Sequence, residues 1–259
     1  ISAGLQLTTN KLFPGLQVMP IPVVLLCVLV ACALVGFVNG FFMAKFKLHP
    51  FIVTLSTQLI VYGLVLLFMQ LGTNSGQTLS GMSETYRSLI INPLFTLQTS
   101  SGPVTVPRYV LYSAVITAIV WVIWNKTAFG KNMYAVGSNE EAANVSGVNV
   151  TKTIILVFVM AGMLYGITGF MDAARISSVN ATTGLNYESD AIAACVIGGI
   201  SFVGGIGKVS GAIIGVLLLQ IIFAGLNFLS VDANYLYIVK GLIILIACSI
   251  DMRKYLVRK

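Results

Sequence analysis

The apolar residues of this chain lie in blocks about 20 residues long, the length that an α-helix needs to cross the hydrocarbon layer of a membrane. Hydrophobic residues make up 57% of the chain and charged residues only 9%, whereas a soluble domain has roughly 25% charged residues. In lipid every backbone N–H and C=O group must be paired internally, which leaves helices or closed barrels, and barrels show short alternating stretches instead. The sequence therefore predicts an all-α, polytopic integral membrane bundle.

We identify about seven apolar segments, each predicted to cross the membrane once. They cover residues 20–44, 50–71, 109–124, 153–171, 191–203, 209–229 and 235–250. The fifth segment is shorter than a full span and is followed by Gly204, Gly205 and Gly207, so a broken or re-entrant helix is the alternative there. We predict one membrane domain over residues 1–259, with a polar loop at 72–107 that covers the external mouth, receives a partner or is a solvated connector.

The basic residues indicate which ends of the segments face the cytoplasm, because cytoplasmic loops carry an excess of Lys and Arg. Seven crossings collect ten basic residues on one side: Lys45, Lys47, Lys126, Lys131, Lys152, Lys208, Arg253, Lys254, Arg258 and Lys259. The other side receives four, Lys11, Arg87, Arg108 and Arg175. The net charge of +7 is scattered through short loops, which favours membrane topology over nucleic-acid binding.

The remaining composition excludes several classes of site. The chain opens with ISAGLQLTTNKLFPG, without an initiator Met or a signal peptide, and we expect an N-terminally incomplete fragment. The four cysteines lie inside apolar blocks and match no common metal-binding spacing, so no metal site is predicted. The stretch GGISFVGGIGK lacks the Lys-Ser/Thr end of a phosphate-binding loop, and no nucleophile and base pair indicates an enzyme.

Glycines recur at intervals of four residues, a spacing that puts bare backbone on one face of a helix. These are Gly36 and Gly40, Gly162 and Gly166, and the run Gly207, Gly211 and Gly215. Helices in lipid associate through close van der Waals contact, so the spacing predicts helix-packing faces. The alternative, that these faces also line a translocation path, is less favoured because glycine is common in membrane helices generally.

The loop over residues 126–152 contains a short helix with its own capping signals. Ser138 is predicted to cap its N-terminus, with Glu141 three residues later as in a capping box, and Gly147 is predicted to end it. A helix of about eight residues is not stable alone in water, so it must pack against something. Either Ala142, Ala143 and Ser146 enter a groove on a partner while Glu140 and Glu141 meet basic groups at its rim, or the helix docks on its own subunit.

Lys240 is the conspicuous charge in an apolar segment, where a charge is costly and indicates function. Counted from residue 235 it lies about 8 Å below the outer boundary, so snorkelling is the alternative. A pair with Asp232 or another outer acid is a third interpretation. Asp190 is predicted to cap the helix that follows it.

At these residues the chain resembles the permease subunits of bacterial sugar-importing ATP-binding-cassette transporters, in the family that includes ribose, galactoside and branched-chain amino-acid permeases. The stretches that carry the resemblance are GFVNGFFMAKFKLHPFIVTLSTQLIVYG, WNKTAFGKNMYAVGSNEEAANVSGVNV, YESDAIAACVIGGISFVGGIGKVSGAIIG and YLYIVKGLIILIA. The stretch GSNEEAANVSG resembles the segment that couples the permease to its ATPase. The resemblance gives that role to Gly137, Asn139, Glu140, Ala142, Ala143 and Gly147, and with Ser138 and Glu141 of the same stretch these residues form the predicted coupling site.

The resemblance also implies an assembly and a substrate. It implies about ten helices in a full-length subunit of the bacterial inner membrane, a homodimer, a periplasmic sugar-binding protein and a cytoplasmic ATPase. ATP and Mg would be bound by that ATPase, with no cofactor in this chain. A monosaccharide is expected as the substrate, with galactose favoured and ribose or another sugar as the alternative. A secondary transporter driven by an ion gradient is the rival, and it should show buried acids or histidines within its spans.

Overall fold

A computed structural model describes residues 1–8, 12–13, 15–99, 102–201 and 203–256. Lys11, Arg258 and Lys259 of the predicted charge distribution, and Phe202 of the predicted fifth segment, lie outside these residues. The described part of the chain is mainly helical. Its helices are α1 Ser2–Leu5, α2 Ile21–Phe46, α3 Pro50–Met69, α4 Glu84–Ile91, α5 Arg108–Lys126, α6 Ala128–Ser138, α7 Glu140–Val145, α8 Val150–Ile176, α9 Tyr187–Ile197, α10 Val209–Phe228 and α11 Ala233–Leu256.

Two short antiparallel pairs of strands accompany the helices. The strands are β1 Leu79–Ser80, β2 Pro93–Thr99, β3 Gly102–Pro107 and β4 Ser178–Val179. β2 and β3 form a hairpin, and β1 pairs with β4 so that Leu79 lies opposite Val179. The predicted polar loop at 72–107 therefore contains a helix and a hairpin as well as β1.

Five of the predicted segments correspond to helices that are long and apolar enough to cross a membrane, namely α2, α3, α5, α8 and α10. Many of their large apolar side chains are exposed in the isolated chain; Leu26 is 61% exposed, Leu59 65% and Ile221 67%. Such surfaces are unfavourable in water and match a hydrocarbon solvent. The structure thus agrees with an all-α polytopic membrane fold.

The predicted count of seven crossings is not reproduced. α9 has 11 residues, which span about 16 Å at 1.5 Å per residue, half of a bilayer core of about 30 Å. It ends at Ile197, and the following residues, including Gly199 with a φ of +80°, are not helical. The apolar stretch of α11 recognised among the described residues, Asn234–Ile246, is also short. The fifth and seventh crossings remain predictions.

The chain divides into two compact units, one formed by residues 1–116 and 151–183 and the other by residues 117–150 and 184–259. In the first unit, α2 and α8 meet through glycines. A Cβ on Gly40 would lie 2.8 Å from the Cα of Ile155, and one on Gly36 would overlap the carbonyl of Phe158. From the other helix, Gly162 lies against the carbonyl of Cys32. Side chains at these glycines would force the helices apart.

The same unit has a buried cluster around Tyr86 of α4. The hydroxyl of Tyr86 donates a hydrogen bond to the carbonyl of Phe170, and the two rings meet edge to face with centroids 4.9 Å apart. Burial raises the pKa of Tyr86 to about 12, so the phenol is a neutral donor at physiological pH. Gly166 of α8 completes the contact with α2, where an added Cβ would lie 3.2 Å from that of Cys32.

In the second unit, the short helix α9 packs against α10 and α11. Ala193 and Ala194 of α9 are buried in one cluster with Leu219 and Phe223 of α10. Gly211 of α10 lies against the backbone of Gly198, so the two backbone segments approach each other without intervening side chains. Absent side chains permit this close van der Waals packing, which holds helices together where no hydrophobic force operates.

The prediction that Gly207, Gly211 and Gly215 share one helix face is wrong for Gly207. α10 begins at Val209, with Lys208 as its N-cap in an extended conformation. Gly207 therefore lies in the loop before the helix, where a Cβ would meet the side chain of Ile200 at 3.1 Å. The four-residue spacing of glycines extends into the loop before α10, because glycine is common in loops as well as in membrane helices.

Candidate coupling site

The loop predicted at 126–152 begins with a helix that the sequence analysis did not identify, α6. Its N-cap is Thr127, whose hydroxyl accepts a hydrogen bond from the backbone N–H of Gly130 at 3.2 Å and donates one to the carbonyl of Ile123 at 2.5 Å. One side chain thus closes α5 and opens α6. A Cβ on Gly130 would overlap the carbonyl of Trp124, so glycine is required for this sharp turn. Thr127 three residues before Gly130 was the signal in the sequence.

The helix that carries most of the predicted coupling residues, α7, begins one residue later than predicted. Asn139 is its N-cap, with φ −162° and ψ 111°, and its side-chain oxygen accepts a hydrogen bond from the N–H of Ala142 at 3.0 Å. The prediction that Ser138 caps this helix is wrong, because Ser138 is the last residue of α6. A cap needs the extended backbone that Asn139 provides. Glu141 consequently is not at the capping-box position.

Gly147 ends α7 as the sequence predicts. Its φ is +85°, which favours glycine, and its N–H donates to the carbonyl of Asn144 at 3.0 Å. The next N–H, that of Val148, reaches the carbonyl of Ala143 at 3.0 Å. These two bonds form a Schellman motif, which satisfies the last carbonyls of the helix. α7 is therefore capped at both ends by its own sequence.

The two faces of α7 differ in exposure. Ala143 is 4% exposed and lies against its own subunit, so its side chain is not available to enter a partner's groove as predicted. Glu140, Glu141 and Ala142 are exposed, as is Ser146 beyond the helix, and Val145 is 90% exposed. The solvent-exposed face of α7 therefore offers two carboxylates and one large apolar side chain. Such a face suits a partner with an apolar pocket and a basic rim.

α6 is joined to the loop between α9 and α10, residues 198–208, which we call the glycine-rich loop. The hydroxyl of Tyr134 donates to the carbonyl of Gly207 at 2.5 Å. The backbones also touch, since a Cβ on Gly137 would lie 2.9 Å from the N of Gly205. Gly205 has a φ of +71°, and a Cβ there would lie 2.8 Å from the Cα of Ser138. The predicted coupling residues Gly137 and Ser138 are thus contacts within this subunit.

An open cleft of about 710 Å³ lies beside this contact. Its polar lining comes from Asn125 of α5, Tyr134 of α6, and Lys208 and Ser210 at the start of α10, and five glycines also line it. Lys208 and the end of α5 near Lys126 therefore lie at the same end of this unit. Both lysines are predicted to lie on the cytoplasmic side.

Lys240 forms an ion pair with Asp190, with Nζ 2.8 Å from Oδ1 and 2.9 Å from Oδ2. The two side chains are 25% and 30% exposed, and Nζ lies 4.8 Å from the ring centroid of Phe223. The prediction that Asp190 caps a helix is wrong, because α9 begins at Tyr187 and Asp190 lies within its first turn. The alternative partner Asp232 instead accepts a hydrogen bond from the N–H of Asn234. An ion pair is the usual accommodation of a charge at membrane depth.

The structure therefore separates the predicted site residues into three groups. Gly137 and Ser138 contact the glycine-rich loop of the second unit and residues 139–147 form α7 with its caps, whereas Gly36, Gly40, Gly162 and Gly166 pack α2 on α8 in the first unit. In the third group, Lys240 and Asp190 connect α11 to α9, and Gly211 and Gly215 of α10 lie against the backbone of Gly198 and Ala194. Among the described residues, no cluster of three His, Cys, Asp or Glu side chains could hold a metal ion.

Comparison with known proteins assigns this arrangement to a transport family. Residues 2–248 match the family described as branched-chain amino acid transport system / permease component. The galactose/methyl galactoside import permease protein of Haemophilus influenzae is 41% identical over 250 residues, which are 96% of this chain and 72% of that protein. Its counterpart in Escherichia coli is 40% identical with the same coverage.

A ribose import permease is also similar. The ribose import permease protein of Bacillus subtilis is 37% identical over 216 residues, which are 83% of this chain and 63% of that protein. Comparison with solved structures finds no match. The family match covers nearly the whole chain, and several relatives exceed 35% identity over most of it. The chain therefore belongs to the permease-component family of ATP-binding-cassette transporters, as a multi-pass inner-membrane transport subunit without catalytic activity of its own.

Proposed function

We propose that this chain forms the translocation path for a monosaccharide, galactose or methyl galactoside, and imports it into the cytoplasm. The observation that carries the sugar assignment is the 40–41% identity to galactose/methyl galactoside import permeases over 96% of the chain. Ribose is the second candidate, because ribose import permeases are 36–37% identical over 83–86% of it.

The energy source in this proposal is a separate ATPase that binds the solvent-exposed face of α7 in the cytoplasm. ATP and Mg belong to that partner, and this chain carries no cofactor. A periplasmic sugar-binding protein delivers the sugar, and a second copy of the permease completes the path. ATP binding shifts the permease between inward-open and outward-open states, which requires the ATPase to interact differently with each state. The self-capped α7 and its exposed carboxylates support this placement of the ATPase.

Uptake by a strain that lacks its own galactoside permease tests the function. The complete gene, expressed with its ATPase and binding protein, should restore uptake of labelled galactose, and unlabelled methyl galactoside should compete while ribose should not. Uptake of labelled ribose without uptake of labelled galactose would replace galactose with ribose as the substrate. Uptake that survives deletion of the ATPase but is lost with the proton gradient would overturn the proposal in favour of a secondary transporter.

Reversing both carboxylates of α7 should weaken ATPase binding. We expect Glu140→Lys/Glu141→Lys to lower the affinity of the permease for its ATPase about tenfold, because like charges then meet at the rim of the interface. Uptake should fall with it. Co-purification and titration of the ATPase at two salt concentrations measure the effect.

The neutral variant Glu140→Gln/Glu141→Gln is the matched control and should lie between the two. A charge reversal at the start of α4, Glu84→Lys, should leave ATPase binding unchanged, since Glu84 is 83% exposed and belongs to the other unit. Equal ATPase affinity in the reversed and unaltered proteins would remove α7 from the interface.

A further inference from the structure

We propose that Tyr134 and Gly205 link α7 to the short helix α9, so that movement of the docked ATPase reaches the membrane through the loop between α9 and α10. The inference rests on the proposed function, because it needs an ATPase bound at α7. Tyr134 and Gly205 act as positioning residues in this scheme. Three successive contacts, all within the second unit, carry the argument.

The first contact makes α6 and α7 one stiff element. Asn139 alone separates them: its N–H donates to the carbonyl of Ala135 at 3.0 Å and so closes α6, while its side chain caps α7. Its own carbonyl accepts a hydrogen bond from the N–H of Ala143 at 3.0 Å. Because Asn139 forms hydrogen bonds with both helices, the junction between α6 and α7 has little freedom to bend. A displacement of α7 must therefore displace α6.

The second contact joins α6 to the glycine-rich loop. Tyr134 donates its hydroxyl hydrogen bond to Gly207, and the ring of Trp124 holds Tyr134 edge to face at a centroid distance of 6.0 Å. Three residues later, Gly137 and Ser138 lie directly against the backbone of Gly205. Backbone contact transmits displacement more stiffly than flexible side chains do, because no rotamer change can absorb it.

The third contact joins the loop to α9. The loop is held by its own hydrogen bonds: the N–H of Ser201 donates to the carbonyl of Ile206 at 2.9 Å, and the N–H of Ile200 donates to Cys195 of α9 at 3.0 Å. Near its other end α9 is tied to α11 by the ion pair of Asp190 with Lys240. α9 is therefore held near both ends, and α6 contacts the loop that follows its C-terminal end.

The half-span length of α9 gives this link its mechanical purpose. A helix of 11 residues that is followed by glycines with positive φ can tilt or shift without bending a full membrane span. Hinges of this kind are a few residues at the ends of elements that absorb changes in backbone angle. Gly199 and Gly204, with φ of +80° and +106°, lie in that hinge.

Two variants loosen or distort the link without altering the exposed face of α7. Tyr134→Phe removes the hydrogen bond to Gly207 and keeps the ring against Trp124. Gly205→Ala places a Cβ against Ser138 at a positive φ, which strains the loop. Gly225→Ala, where a Cβ meets nothing within 4 Å, and Tyr235→Phe on a 63% exposed tyrosine are the matched controls in the same unit.

The complete permease, reconstituted in proteoliposomes with its ATPase and binding protein, provides the test. We expect both variants to bind the ATPase with an affinity within about twofold of the unaltered protein, and sugar moved per ATP hydrolysed to fall about threefold or more. Gly205→Ala should have the larger effect, and the two controls should match the unaltered protein.

Two results would overturn the link alone. One is an unchanged ratio of transport to hydrolysis in both variants, and the other is loss of ATPase binding in both, which would place these residues in docking or folding. Absence of ATP-dependent uptake in the unaltered protein would overturn the proposed function and the link together. The Tyr134→Phe variant keeps the test valid if Gly205→Ala does not fold.

Discussion

A leucine in place of Gly215 should leave little folded permease in the membrane. A Cβ on Gly215 would overlap the carbonyl of Ala194 and lie 2.8 Å from the backbone N of Gly198, so the obstruction is backbone that cannot change rotamer. Overpacking a well-packed core typically costs 1–3 kcal/mol. Because α9 would have to leave α10, we expect a loss of at least about 3 kcal/mol in this unit.

The amount of monodisperse protein after extraction, and its thermal unfolding, measure this effect. Gly225→Leu is the control, since Gly225 lies on the same helix and a Cβ there meets no atom within 4 Å. It should fold normally and gain helix propensity. If Gly215→Leu is extracted as well as Gly225→Leu, the packing of α9 on α10 described above is incorrect.

Replacing Lys240 with methionine should be the second most damaging change. The substitution leaves the carboxylate of Asp190 without its cation in a half-buried position among α9, α10 and α11. Breaking a fully buried pair costs about 3–5 kcal/mol. Both side chains retain some exposure, so we expect about 2–3 kcal/mol here, seen as a lower unfolding temperature and reduced uptake.

The double variant Lys240→Met/Asp190→Asn separates an ion pair from a snorkelling lysine. Removing both charges should recover most of the stability lost in Lys240→Met, because no unpaired charge then remains in the helix cluster. A snorkelling lysine would instead tolerate methionine with or without the second change. Additive losses in the double variant would contradict the pair.

Most membrane helices could be predicted from the sequence because lipid imposes a simple length rule. Residues 20–44 and 209–229 each gave one helix within two residues of the predicted bounds. The exception was the segment at 191–203. Its apolar run continues past the end of α9 at Ile197, and the length rule does not register that Gly198 and Gly199 stop the helix.

The site was predictable where the signals are local. Gly147 ends α7 with a positive φ, a conformation that favours glycine, so the residue type alone predicted where the helix ends. The N-cap was misplaced by one residue because Ser138 and Asn139 are adjacent and both are good capping residues, so the choice depends on where α6 ends. α6 was not predicted because its two glycines, Gly130 and Gly137, are typical of loops in a sequence. Only the structure shows that close backbone contacts require glycine at both positions.

Contacts between residues far apart in the chain could not be predicted from one sequence. Asp190 lies 50 residues before Lys240, and the sequence alone left Asp232 or another outer acid as the candidate partner. The bond from Tyr134 to Gly207 joins residues separated by 73 positions. Such pairs depend on how the helices pack, which hydrophobic periodicity does not specify.

The position of α7 at the cytoplasmic face, under a bound ATPase, is the central claim. A single cysteine at the most exposed site of this helix tests it, Val145→Cys in a variant whose Cys27, Cys32, Cys195 and Cys248 are replaced by serine. A membrane-impermeant maleimide should label this cysteine in inverted vesicles and not in intact spheroplasts. Added ATPase should protect it. Labelling from the periplasmic side, or labelling in inverted vesicles that the ATPase does not reduce, would contradict the account.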